Sequence, residues 1–174
     1  MDQKRTLPKK EITLRPVTDA DREFLYEVYA STRLEELAPV PWTEVEKTAF
    51  LRMQFDLQAK FYAENYSRAS FQVILFDGAQ AGRLYVERRS HEIRIMDISL
   101  LPAFRGQGIG TVLIAGILSE GQSQRLPVTI HVERMNPALM LYERLGFTQV
   151  ADKGVYYLLQ WNPVRDPKGA HEAG

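Results

Sequence analysis

Leu100-Leu101-Pro102-Ala103-Phe104-Arg105-Gly106-Gln107-Gly108-Ile109-Gly110-Thr111 is the stretch on which the reading of this chain turns. It follows a strand-like segment, Glu92–Leu101, and precedes a strongly apolar helical segment, Thr111–Glu120. Three alternate glycines at a helix start let the backbone approach a ligand closely, and their N–H groups can converge on an anion. The helix dipole adds roughly half a positive charge at that end, and Arg105 adds a full one. A phosphate or pyrophosphate suits such a place; the alternative is a tight strand-to-helix turn that holds nothing. Two common phosphate loops are excluded. A Walker A loop needs Gly-Lys-Ser/Thr at its end, and no Lys follows here. The dinucleotide fingerprint Gly-x-Gly-x-x-Gly fails in both frames, its last glycine falling at Thr111 or at Leu113.

Upstream of the loop, Ile12–Arg15 alternates apolar and polar residues and is stopped by Pro16, which reads as a short strand. Thr18 and Asp19 offer an N-cap to a helix over Ala20–Leu37, with Phe24, Val28 and Leu37 on its stripe. Pro39 and Pro41 break it, and Thr43 caps a second helix in which Phe50, Met53, Leu57 and Phe61 recur at helical spacing. Phe71–Phe76 and Ala81–Arg88 flank Asp77-Gly78, a strong hairpin signal, and Glu92–Leu101 completes an antiparallel meander. Downstream, Thr111–Glu120 is apolar nearly all round, which predicts a buried helix. A strand over Val128–Val132, a helix over Pro137–Leu145 stopped by Gly146, and a strand over Val155–Trp161 finish the pattern. The expected fold is a mixed α/β domain, its first half largely antiparallel and its second half βαβ-like.

At 174 residues the chain has the length of one domain. We assign it to 11–162, with flexible tails at 1–10 and 163–174. Equal numbers of basic and acidic residues, 22 each, leave no excess cation to wrap nucleic acid. Without cysteine there is no disulfide, iron–sulfur ligand or thiol nucleophile, and three scattered histidines suggest no metal site. No apolar run approaches the roughly 20 residues of a membrane span, and the N-terminus lacks the core of a secretory signal. The expectation is a cytoplasmic protein with no metal, no nucleic-acid partner and no membrane partner.

Arg105-Gly106-Gln107-Gly108-Ile109-Gly110 resembles the Arg/Gln-x-x-Gly-x-Gly/Ala loop of the GNAT superfamily of acyl-CoA-dependent N-acetyltransferases. Ile98-Ser99-Leu100-Leu101-Pro102 looks like the strand end that leads into that loop. A second block, Asn136 to Phe147, resembles the family's Asn-x-x-Ala-x-x-x-Tyr-x-x-x-Gly-Phe segment. The resemblance implies the GNAT fold, a central mixed and largely antiparallel sheet flanked by about four helices. It implies acetyl-CoA as cosubstrate. Backbone groups of Gln107, Gly108, Ile109 and Gly110 would hold its pyrophosphate on a loop shaped by Arg105 and Gly106. Ile98 and Leu100 would contact the pantetheine arm, although core packing accounts for them equally. Asn136 would bond the cofactor's amide arm or serve as a plain N-cap before Pro137.

The resemblance also places Tyr142 as the acid that protonates the departing thiolate; otherwise it is a core tyrosine. Direct transfer needs no enzyme nucleophile, in keeping with the lack of cysteine. The base is harder to assign. Glu92 shares the strand face of Leu100 but lies about 26 Å from it at about 3.3 Å per residue. Asp97 is nearer but points to the other face unless a bulge turns it. Glu92, working through water, is therefore the candidate. Arg94 either binds an acidic group of the acceptor or pairs with Glu92 or Asp97. Family members often dimerise through sheet edges, so a homodimer is one expected assembly. The expected activity is N-acetyl transfer to a primary amine of a small molecule, or of a peptide or protein. The alternative is an acyl-CoA-binding module of the same fold with little or no catalysis.

Overall fold

The Asp77-Gly78 turn shows how directly local chemistry shapes the sheet. Both residues adopt left-handed backbone, φ 50° and 81°, as a two-residue type I′ hairpin requires. In the computed structural model, which describes residues 10–164, this turn joins β2 (Ala69–Phe76) to β3 (Ala79–Arg88). The other elements are β1 (Ile12–Pro16), α1 (Arg22–Leu37), α2 (Glu44–Asn65), β4 (Ile93–Leu100) and α3 (Ile109–Gln124). They are followed by β5 (Val128–Glu133), α4 (Leu139–Arg144), β6 (Thr148–Asp152) and β7 (Tyr156–Trp161). The seven strands lie in the order β1-β2-β3-β4-β5-β7-β6. This is the expected mixed, mostly antiparallel sheet with four helices. The tails assigned at 1–10 and 163–174 fall almost wholly outside the described residues.

The chain folds as two compact units. One is drawn from the chain up to Tyr85 together with Asp97–Ile109; the other is drawn from Val86–Met96 together with the chain from Gly110. In the first unit, β1 pairs antiparallel with β2 from Ile12↔Phe76 to Pro16↔Gln72. The Asp21 carboxylate accepts from the Thr18 N–H and hydroxyl at 2.8 and 3.0 Å, closing the turn before α1. Arg15 grips the same carboxylate through two bonds of 2.7 Å, and Gln80 adds a third partner at 3.0 Å. These donors, Arg15 foremost, hold the buried Asp21 carboxyl well below the usual carboxylate range. Thr43 caps α2 as expected, in a reciprocal box with Glu46. Leu25, Tyr29 and Ala30 of α1 pack with Leu51 and Phe55 of α2.

The stripe read on α2 is out of phase. Leu51 and Phe55 are buried, whereas Met53, Leu57 and Phe61 are about half exposed.

In the second unit, β4 and β5 are parallel and register Ile93↔Val128 through Ile95↔Ile130. β5 pairs antiparallel with β7 over six positions, and β7 with β6. β6 is a strand that the sequence pattern did not predict. The α3 helix is not buried all round: Ile109, Ile114, Ile117 and Leu118 are buried, while Val112 is 56% exposed. Along the β3–β4 ladder, the Arg89 N–H bonds the Glu92 carbonyl and the Leu101 N–H bonds the Ala81 carbonyl.

Candidate functional site

After Leu100 the chain makes a short turn over Pro102–Phe104, and Arg105 ends it in extended backbone. Gly106 and Gly108 follow at φ 71° and 80°, a conformation that side chains resist and glycine accepts. The next residue, Ile109, is 1% exposed and starts α3. A Cβ built on Gly106 or Gly108 meets nothing within 4 Å, so backbone conformation, not crowding, demands glycine here. That leaves the backbone approachable from outside. The first-turn amides of α3 have no carbonyl of their own helix to bond, and they carry the positive end of its dipole.

The loop's side chains are held down. Arg105 Nε donates to the Leu100 carbonyl at 2.9 Å and Nη2 to Ser31 Oγ of α1 at 3.3 Å. Gln107 Nε2 donates to the Ala103 carbonyl at 2.9 Å, and Lys10 reaches Gln107 Oε1 at 3.4 Å. A rigid loop with open glycines, free helix-end donors and two cations suits a phosphate ester. Ile98 and Leu100 are half-buried on β4, beyond the residues that register with β5.

Tyr142 and Asn136 lie in the second unit. Asn136 is exposed, and its Oδ1 accepts from the Ala138 N–H at 2.9 Å, so it caps the turn into α4. Tyr142 is buried on α4 with its ring edge-on to Phe147 at 5.5 Å. Gly146, at φ 92°, terminates the helix where the sequence signal placed its stop. Leu141 approaches the Cβ position of Gly110 at 3.8 Å, seating α4 against the start of α3.

Glu92 stands at the entry to β4, 7% exposed. Its Oε1 takes Arg89 Nη1 at 2.8 Å and Arg94 Nη2 at 3.1 Å, and its Oε2 takes the Thr129 hydroxyl at 2.8 Å. Burial pushes this carboxyl up, but the Thr129 hydroxyl and the Arg94 and Arg89 guanidiniums outweigh it and hold it below its ordinary value. A carboxylate so engaged is a poor proton acceptor. Arg94 thus takes the ion-pair role of its two readings, with a further bond of 3.3 Å to Thr129 Oγ1. Partial burial and nearby Arg94 and Lys153 also keep His131 below its ordinary value.

One polar cluster escaped the sequence reading. Arg83 of β3 is 3% exposed, and its Nη2 donates to Asp97 Oδ2 of β4 at 2.5 Å and to Gln58 Oε1 of α2 at 3.0 Å. Its Nε is buried without an acceptor, a deficit that ordinarily costs about 1–3 kcal/mol. The guanidinium lies over the Tyr85 ring at 5.0 Å and the Tyr29 ring at 5.8 Å. Ser99 Oγ donates to Asp97 Oδ1 at 2.7 Å. The available signal was a lone cation in the apolar run Ala81–Val86 and a lone anion in Ile93–Leu100, on neighbouring strands. Among the described residues, no group of three or more acidic or histidine side chains is placed to hold a metal ion. None of their helices is long and apolar enough to cross a membrane.

Comparison with known proteins shows what this geometry resembles. The model of the acetyltransferase (GNAT) domain matches residues 67–149, a span that contains the glycine loop, Asn136 and Tyr142. No curated protein sequence is significantly similar to the chain. Among solved structures, the chain resembles the PaiA N-acetyltransferase of Thermoplasma acidophilum in complex with coenzyme A. That match has a TM-score of 0.66 at 16% identity, over 87% of this chain and 99% of that one. It also resembles an acetyltransferase of Thermus thermophilus (TM-score 0.62, 20% identity, 87% and 96% covered). A third neighbour is the ribosomal-protein-S18-alanine N-acetyltransferase of Escherichia coli (TM-score 0.61, 16% identity, 91% and 98% covered). At these identities the neighbours speak for the fold. Loop, strand order and family model point the same way: residues 67–149 match the acetyltransferase (GNAT) domain, and the fold is that of its structural neighbours.

Proposed function

We propose that this chain is an N-acetyltransferase that moves the acetyl group of acetyl-CoA directly to a primary amine of a small molecule. A peptide or protein amine is the other acceptor class, and the structural neighbours include enzymes named for both N-acetyl transfer in general and a ribosomal protein. The observation that carries the reading is the loop before α3. Its left-handed glycines, open on their Cβ side, precede a helix end rich in donors.

When bound, acetyl-CoA supplies an acetyl group already activated as a thioester. The residues of this chain do the rest. Amides of Gln107 to Gly110 hold the pyrophosphate, and Arg105, tied to Leu100 and Ser31, keeps the loop in shape. Ile98 and Leu100 offer backbone groups to the pantetheine arm, and Asn136 bonds its amides. Tyr142 gives its proton to the departing thiolate. A phenol of pKa about 10 can serve a thiol of pKa about 8.5 only within hydrogen-bond reach, so position decides its efficiency. The acceptor's proton leaves through water, since the Glu92 carboxylate is engaged by three donors.

That engagement of Glu92 also favours a second reading, an acyl-CoA-binding module with little catalysis. Calorimetric titration with acetyl-CoA, NAD serving as control, tests the first step, and thiol release with a panel of amines tests the second. Binding with amine-dependent thiol release supports the enzyme. Binding without release supports the module, and no binding refutes both.

A further inference from the structure

The α2 helix presents two apolar faces, and the core uses one of them. Leu51 and Phe55 pack on α1, whereas Val45, Ala49, Met53, Leu57 and Phe61 form a continuous i, i+4 row, every member exposed among the described residues. The row runs about 24 Å at 1.5 Å per residue. Scattered apolar residues on a surface are ordinary; an unbroken ridge of five marks a contact surface. Phe61 is further held edge-on to Tyr66 at 5.8 Å. Residues 1–9 and 165–174 contribute only Met1 and Leu7 as large apolar side chains, too few to cover the ridge.

The ridge is uneven in a way that fits its own reverse. Its N-terminal half is small, Val45 and Ala49, and borders a shallow groove of about 450 Å³ lined by Glu44, Val45, Thr48, Ala49 and Arg52. Its C-terminal half is bulky, with Met53, Leu57 and Phe61 about half exposed. Laid antiparallel on itself about Met53, the ridge sets Leu57 against Ala49, and Phe61 against Val45 and the groove. A parallel pairing would set bulk on bulk. Ridges of i±4 spacing seat in one another's grooves at a crossing angle of about −50°, the commonest class of helix packing. The reversal also brings Lys60 level with Glu46, and the flanking row Arg52, Asp56, Lys60 and Glu64 alternates in sign, so it can meet its own reverse. A helix that lies on an anionic membrane carries a basic flank instead.

From this we infer that α2 is the interface of a symmetric dimer, in which two copies of this chain meet ridge on ridge with the two-fold axis at Met53. Each copy offers the same patch, so the contact closes after two. The sheet edges are less suited to self-pairing: β1 ends on Pro16, and β6 is interrupted by a register shift. The inference is independent of the acetyl-transfer reading.

Sedimentation equilibrium reads the assembly. One helix per copy is a small interface, so a Kd of about 10–100 µM is expected. Leu57→Glu, at a site exposed in the monomer, should raise that Kd at least about tenfold, since each dimer carries the charge twice, and leave the melt of the dilute protein unchanged. Because the chain lacks cysteine, single substitutions report the register. Under mild oxidation with diamide, Met53→Cys should cross-link to itself, whereas Ala49→Cys should cross-link to Leu57→Cys and not to itself. Self-cross-linking of both Ala49→Cys and Leu57→Cys would show a parallel pairing and overturn the geometry. A chain that stays monomeric at about 1 mM, or a dimer that Leu57→Glu leaves intact, overturns the interface. So does a monomer that co-sediments with phosphatidylserine vesicles, which would give the ridge to a lipid surface.

Discussion

Replacing Gly108 with Val isolates the glycine loop from everything else in the molecule. At φ 80° an L-residue pays a left-handed penalty of roughly 1–2 kcal/mol, more for a β-branched one. No packing penalty adds to it, because a Cβ at this position meets nothing within 4 Å. Against a domain stability of about 5–15 kcal/mol the protein should remain folded, its Tm lower by roughly 2–8 °C. Ligand binding should suffer far more. The new side chain fills the space through which a pyrophosphate reaches the amides, and losing two charge-assisted hydrogen bonds of about 1.5–3 kcal/mol each amounts to at least about a hundredfold. Thermal melting and calorimetric titration with acetyl-CoA, on one preparation, read both quantities. A lowered Tm with unchanged affinity would refute the assignment of the loop, since the strain would be present and the occupied space irrelevant.

Three further outcomes follow from geometry described above. Tyr142→Phe is expected to lower turnover by about a hundredfold or more, in the range of general acid catalysis, with acetyl-CoA affinity unchanged; an unaltered rate in a thiol-release assay removes the hydroxyl from the mechanism. Asp21 is held below the ordinary carboxylate range, so its stabilising contribution is complete above pH about 3.9 and falls away as pH drops below that toward the folded value. Acid unfolding followed by circular dichroism should therefore be less steep for Asp21→Asn, and superimposable curves would contradict the network around Thr18 and Arg15. Gly82→Ala would drive a Cβ into the Ser99 carbonyl and to 2.9 Å from Leu100 Cδ2. We expect a loss above about 3 kcal/mol in denaturant melts, and a midpoint within error of wild type would show that the β3–β4 ladder yields there.

What the sequence revealed was governed by local chemistry. Asp77-Gly78, Thr43 with Glu46, and Gly146 each act over a few residues, and each sits where its residue types require. The β6 strand was missed because Thr148–Asp152 is short, mostly polar and interrupted by a register shift between Gln149 and Ala151. The phase of α2 was misread because the helix has two apolar stripes. Only the one through Leu51 and Phe55 meets α1, and periodicity cannot tell which stripe will find a partner. For α3 the same ambiguity took another form: apolar composition all round suggested full burial, yet Val112 is 56% exposed. In the candidate site, the loop was legible because glycine patterns report backbone shape. The engagement of Glu92 by Thr129 and the Arg83–Asp97 pair were not, because both depend on which strand lies beside which.

The strand order β5-β7-β6 has a consequence for biosynthesis. Tyr156–Trp161, the last strand among the described residues, fits between two strands made earlier, bonding β5 along six positions and β6 on its other edge. While the ribosome still covers it, Val128–Glu133 and Thr148–Asp152 both display unpaired edges, the state in which strands recruit foreign partners. Completion of this half of the sheet is thus deferred until translation has passed Trp161. A message truncated a few codons earlier would yield a chain with two sticky edges and no native way to close them.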